Sequence, residues 1–186
     1  MRLFVAVNLP EEVRGRLAAA QERLRAARAQ VSWVRPDNMH LTLKFLGETA
    51  PDRLDSIRAA LAEVARRSLP FEAALGGVGS FGGRVPRVVW AGVTDGATRL
   101  AELAGRVDGA LAGIGFPRES RPFAPHLTLG RVRAPERAVV LAAALRAEGQ
   151  GAFGRFRPEA FCLMESRLDP QGSIYTVVDR FTLGAG

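Results

Sequence analysis

The chain is poor in the residues on which much enzyme chemistry depends. Its 186 residues include one cysteine, two histidines, one tyrosine and two tryptophans. A single thiol, Cys162, excludes an intramolecular disulfide and any multi-cysteine zinc site. With two histidines only, a transition-metal centre would need aspartate or glutamate to complete it, so neither a metal nor any other cofactor is expected. No apolar run reaches the ~18 residues that a membrane span requires. The first ten residues turn polar too soon for a signal peptide and read instead as an opening strand, which makes a cytoplasmic location the expectation. Lysine is almost missing. Lys44 is the only one, and the formal charge of +7 is otherwise carried by arginine. A basic surface attracts polyanions such as RNA, without specifying which one or whether chemistry follows.

What is present suffices for a core, since 47% of the residues are hydrophobic. The length fits one domain, residues 1–186, which the internal pattern divides into two similar lobes. Residues 2–7 read as a strand. A helix opens at Pro10-Glu11-Glu12, with Val13, Leu17 and Leu24 at helical spacing. A strand from Met39 to Leu46 follows, then a helix from Pro51 to Arg67, a strand Phe71–Leu75 and a glycine-rich segment, 76–83. The order then begins again: a strand 87–93, a helix marked by Leu100, Leu103, Val107 and Leu111, and a strand His126–Val132. A fourth helix is marked by Val139, Val140, Leu141 and Leu145, and strands over 160–168 and 175–183 close the chain. Phe4 and Trp90 occupy matching places at an offset of 86, the same offset that separates the histidines.

Both histidines open the same tetrapeptide, His40-Leu41-Thr42-Leu43 and His126-Leu127-Thr128-Leu129. Side chains alternate along a strand, so the leucines share one face and the His-Thr pairs the other. The leucines are predicted to face a core and the His-Thr pairs a cleft between the lobes. Histidine exchanges protons near neutrality, so two of them facing one cleft can serve as an acid–base pair, with the threonine hydroxyls holding oxygens between them. That arrangement suits transfer at phosphorus, where the attacking water loses a proton and the leaving alkoxide gains one. Lys44 shares the parity of His40 and Thr42, as a site residue or a charge on the cleft rim. Arg131 falls on the wrong face by strict alternation, unless Gly130 admits a bulge. Phe81 is read as a hydrophobic anchor of the glycine-rich loop, with stacking on a base as its alternative. Trp90 is read as a core residue.

The sequence resembles the RNA 2′,3′-cyclic phosphodiesterases, formerly called 2′-5′ RNA ligases, of the two-histidine (2H) phosphoesterase superfamily. The resemblance runs through Arg2-Leu3-Phe4-Val5-Ala6, Trp33-Val34-Arg35-Pro36, His40 to Gly47, Pro86 to Trp90 and Arg121 to Arg131. It implies a bilobal α+β fold, with two antiparallel sheets around a central cleft, helices on the outer faces and no metal. It implies hydrolysis of an RNA 2′,3′-cyclic phosphate end to a 2′-phosphomonoester; beside the RNA, no obligate protein partner is expected, and the chain is expected to be a monomer. His40 would then be the proton donor to the 3′-oxygen and His126 the proton acceptor from water. Thr42, Thr128 and Arg131 would bind the phosphate. Two alternatives stand beside this one: a 2′-5′ ligase or 2′-5′ phosphodiesterase using the same fold, and a non-catalytic basic RNA-binding module.

Overall fold

Strand β1 (Arg2–Asn8) is buried from Leu3 to Val7, because it carries apolar side chains on both faces and lies between two other strands. The computed structural model describes residues 1–83, 85–134, 139–170 and 172–184, and the side chain of Val139 is not among what it describes. Helix α1 (Glu11–Arg25) follows β1, with Glu11 and Glu12 in its first turn and Arg23 and Arg25 in its last, each charge placed to complement the helix dipole. The short strand β2 (Val31–Trp33), absent from the sequence reading, precedes β3 (His40–Glu48). Helix α2 (Leu54–Arg66) begins after a 3₁₀ turn at Pro51–Arg53 and buries Ile57, Leu61, Val64 and Ala65 on one face. Most of the glycine-rich segment is not a loop: residues 76–81 belong to strand β4 (Ala73–Phe81), which pairs with β5 (Val88–Asp95), and only Gly82 and Gly83 turn beyond it. Then come α3 (Ala97–Gly113), β6 (His126–Val132), α4 (Val139–Glu148) and β7 (Ala152–Phe156), followed by β8 (Ala160–Asp169) and β9 (Gly172–Thr182).

The fold is α+β, with two antiparallel sheets. One has four strands in the order β3-β1-β8-β9, the other five in the order β2-β6-β5-β4-β7. The two halves of the sequence are interleaved between them. The four-stranded sheet takes β1 and β3 from the first half and β8 and β9 from the end of the chain. The helices cross over as well: α3 packs on β3 and α2, whereas α1 packs on β7 and α4. One hydrophobic core draws residues from both sheets and all four helices. It includes Leu41, Leu43, Leu127 and Leu129, the leucines of the two tetrapeptides, as the alternation predicted. Among the described residues, no helix is long and apolar enough to cross a membrane.

Candidate active site

The two histidine strands pair with their neighbours in the same irregular way. In the β1–β3 ladder, Asn8 stands opposite His40 and Ala6 opposite Thr42. The next pair is Val5 with Lys44, then Phe4 with Phe45, so Leu43 is an extra residue. In the β5–β6 ladder, Gly92 stands opposite His126 and Trp90 opposite Thr128. The next pair is Val89 with Gly130, then Val88 with Arg131, so Leu129 is the extra residue. Each is a β-bulge, which lets two consecutive residues face the same side and reverses the alternation beyond it. The burial sequence is accordingly the same over the first seven residues of both strands: the first, third and seventh are half-buried, the sixth is exposed, and the rest are buried.

The bulges decide three side chains. Arg131 pairs with Val88, which shares a face of β5 with Trp90 and Gly92, so Arg131 comes round to the face of His126 and Thr128. Phe45 comes round in the same way to the face of His40, 63% exposed. Lys44 is turned off that face and into the protein, only 3% exposed, which corrects the parity argument that placed it beside His40. Its ammonium donates to Asp108 Oδ1 at 2.6 Å and to the Pro117 carbonyl at 2.8 Å. Burial pushes the Asp108 carboxyl up, but the Lys44 hydrogen bond and the Glu119 backbone N–H outweigh it and hold the group below its ordinary range. Lys44 thus ties β3 to α3 and to the segment that leads into His126.

The registers also correct two readings of β5. Val88, rather than Trp90, is the counterpart of Phe4, and Trp90 takes the place held by Ala6 in the other ladder. Trp90 therefore lies half-buried on the His-Thr face and is not a core residue. Its indole covers Gly79 of β4, where a methyl group would overlap the ring.

The imidazoles are held alike. His40 Nδ1 lies 2.7 Å from the carbonyl of Asn38, and His126 Nδ1 lies 2.7 Å from the carbonyl of Ala124. A carbonyl can only accept, so each Nδ1 carries its hydrogen and each Nε2 is left for chemistry. His40 Nε2 is 2.9 Å from Thr42 Oγ1, and the hydroxyl donates to the neutral ring. Each ring also meets the edge or face of an aromatic side chain from another strand. Tyr175 of β9 stands against His40 at 5.3 Å and 77°, and Phe81 against His126 at 4.8 Å and 89°. Phe4 lies 4.9 Å from His40 and 5.0 Å from Tyr175, so the three rings form one cluster. This enclosure lowers the His40 pKa below its ordinary value, because burial disfavours the charged ring more than the Asn38 carbonyl restores it.

Strands β3 and β6 lie against one another, with Cα atoms within 8 Å, so the two sheets meet along the histidine strands. Buried Gln21 of α1 donates at 2.8 Å to the carbonyls of both Val34 and Leu129, tying α1 to β6 and to the segment that follows β2. Phe81 ends β4 and packs on Trp90 at 5.5 Å as well as on His126. Its role is thus to flank an imidazole rather than to anchor a loop. Tyr175 and Asn38 escaped the sequence reading. Tyr175 belongs to no motif, and Asn38 acts through its carbonyl, which every residue has. Among the described residues, no group of three or more His, Cys, Asp or Glu side chains is placed to hold a metal ion.

Comparison with known proteins agrees with this duplicated arrangement. The LigT-like phosphoesterase family model matches twice, over residues 7–90 and again over 92–175. A relative from Thermus thermophilus named RNA 2′,3′-cyclic phosphodiesterase is 41% identical, over 98% of this chain and 90% of its own length. Another of the same name, from Methanothermobacter thermautotrophicus, is 36% identical over 98% of this chain and 99% of its own. The crystal structure of TT0787 from Thermus thermophilus superposes with a TM-score of 0.84 at 36% identity, covering 99% of this chain and 98% of that one.

Proposed function

The chain belongs to the LigT-like phosphoesterase family, and from that premise we propose that it hydrolyses RNA 2′,3′-cyclic phosphate ends to 2′-phosphomonoesters. The observation that carries the reading is the matched pair of imidazoles, each held at Nδ1 by a carbonyl two residues upstream and each followed by a threonine on the same face. Binding alone has no use for two titratable rings poised in this way, which is why catalysis is favoured over a basic RNA-binding module.

In the proposed reaction, neutral His126 takes a proton from water through Nε2 as the water oxygen attacks phosphorus. Protonated His40 delivers its Nε2 proton to the 3′-oxygen as the phosphorus–O3′ bond breaks, and the phosphate stays on the 2′-oxygen. Charge gathers on the non-bridging oxygens, where the hydroxyls of Thr42 and Thr128 donate and the Arg131 guanidinium adds a cation. The hydroxyl of Thr42, which rests on His40 Nε2 in the free protein, turns to the phosphate when the 3′-oxygen takes its place. Exchange of one proton with solvent at each ring restores the starting state. General acid–base catalysis of this kind contributes roughly 10²–10⁴ in rate per group.

The test is an oligoribonucleotide ending in a 2′,3′-cyclic phosphate, incubated with the protein in EDTA, with the product isomer identified. A 2′-phosphate is expected, and H40A and H126A should each lose at least about a hundredfold in kcat. A 3′-phosphate product, full activity in either variant, or loss of activity in EDTA would overturn the proposal. Joining of ends through a 2′-5′ bond, or cleavage of one, as the faster reaction would favour the ligase-type alternative.

A further inference from the structure

We propose that the RNA on the 5′ side of the terminal nucleotide lies along the His40 face of the four-stranded sheet, where Arg180 grips the first internucleotide phosphate. The inference rests on the acid and base roles proposed above. In a displacement at phosphorus the attacking and leaving oxygens lie roughly in line, on opposite sides of the phosphorus atom. Water is handled by His126, on the five-stranded sheet. The leaving 3′-oxygen is handled by His40, on the four-stranded sheet, and that oxygen belongs to the ribose. The terminal nucleoside and the chain attached to its 5′-oxygen must therefore extend away from His126, over the sheet that carries His40.

That face has a basic end. The ladders set Thr42, Ala6, Cys162 and Arg180 in one row across β3, β1, β8 and β9, and directly opposed residues project to the same side. The row spans three strand spacings, about 14 Å, which one nucleotide together with an extended arginine can bridge. A cavity opens at its Cys162–Arg180 end, walled by Asn8, Arg157, Glu159, Cys162, Val177 and Arg180. Cys162, buried, gives it an uncharged floor. Arg180 is exposed, and its guanidinium donates to the Thr182 hydroxyl at 3.2 Å. No carboxylate stands within ion-pair distance of it among the described residues. Its neighbour Asp179 pairs with Leu163 on the other face and is held there by Arg58 at 2.7 Å. Arg157 is engaged by Glu72 at 3.4 Å, and Glu159 opposes an anion at one wall, which leaves Arg180 as the lining guanidinium without a carboxylate partner among the described residues. A guanidinium fork matches the geometry of a phosphate diester.

The experiment compares a mononucleoside 2′,3′-cyclic phosphate with a ribodinucleotide ending in the same group. Wild-type protein should turn over the dinucleotide with a kcat/KM about tenfold higher, the worth of one charged hydrogen-bonded pair. R180Q should lower kcat/KM for the dinucleotide about tenfold more than for the mononucleoside. A neutral methylphosphonate linkage should cost the wild type the same factor and cost R180Q nothing more. Equal kcat/KM for the two natural substrates in the wild type, or an equal loss on both in R180Q, overturns the subsite while leaving the hydrolase reading intact. Turnover of neither substrate by the wild type overturns the hydrolase reading and the subsite with it.

Discussion

At the scale of single residues, the two imidazoles share an anchor but differ in their surroundings. His40 is clustered with Phe4 and Tyr175, and its pKa is lowered by burial. If His40 is the acid, kcat/KM requires it protonated while His126 is neutral, so its pKa sets one limb of the pH profile. Removing the Tyr175 ring admits water and moves the His40 pKa back up. One limb of the kcat/KM profile should therefore shift to higher pH in Y175A while the other stays, and a profile with both limbs unmoved would show that Tyr175 does not set the His40 pKa. The near-identity of the two tetrapeptides hides this distinction, because the difference lies in Phe4 and Tyr175, which reach His40 from two other strands.

At the scale of elements, the β-bulge is the device that shapes each half of the site. It permits a strand to present histidine and threonine to one side, bury two successive side chains on the other, and then return an exposed residue to the first. Strict alternation cannot do this, which is why the sequence alone assigned Lys44 to the cleft and left Arg131 dependent on Gly130. Gly130 supplies the room. A Cβ there would stand 2.6 Å from Val31 Cγ1 and 3.0 Å from the Trp33 ring. In β3 the equivalent buried position carries Lys44, whose charge is compensated by Asp108. Truncating one member of a buried ion pair strands the other, at a cost of about 3 kcal/mol. K44A should lower the denaturant midpoint accordingly with the m-value unchanged, and conserve the ordinary acid–base limbs of the pH profile. A stability unchanged within about 0.5 kcal/mol would mean that the pair is merely a surface contact.

At the scale of the whole molecule, the duplication is not a pair of separable units. The family model matches each half of the sequence in turn, yet each sheet draws strands from both halves, and α1 and α3 pack beyond the strands that precede them. A chain cut between the matched segments should give two fragments with little structure by far-UV circular dichroism, because each lacks strands that its sheets require. The intact protein should unfold in one transition. Trp33 and Trp90 both lie in the five-stranded sheet, so their fluorescence follows that sheet, while circular dichroism follows the whole. Coincident midpoints are the expected result; a separation of the two curves would show lobes that unfold independently.

The local pattern in the chain was enough to determine the two His-Thr strands, their leucine-lined core faces, the four helices and the α+β class, because each follows from periodicity within a few residues. Scarcity did the rest, since two histidines in one repeated setting leave few other candidates for proton transfer. Three things were decided only by the tertiary structure: the strand registers, and with them the faces of Lys44, Arg131 and Trp90; the exchange of strands and helices between the halves; and the arrival of Tyr175 and Phe81 at the imidazoles. Register is a property of pairs of strands, and a bulge shifts it by one residue without leaving a mark in the alternation of either strand. Contacts such as Tyr175 with His40 join residues 135 positions apart, and only the folding of the whole chain brings them together.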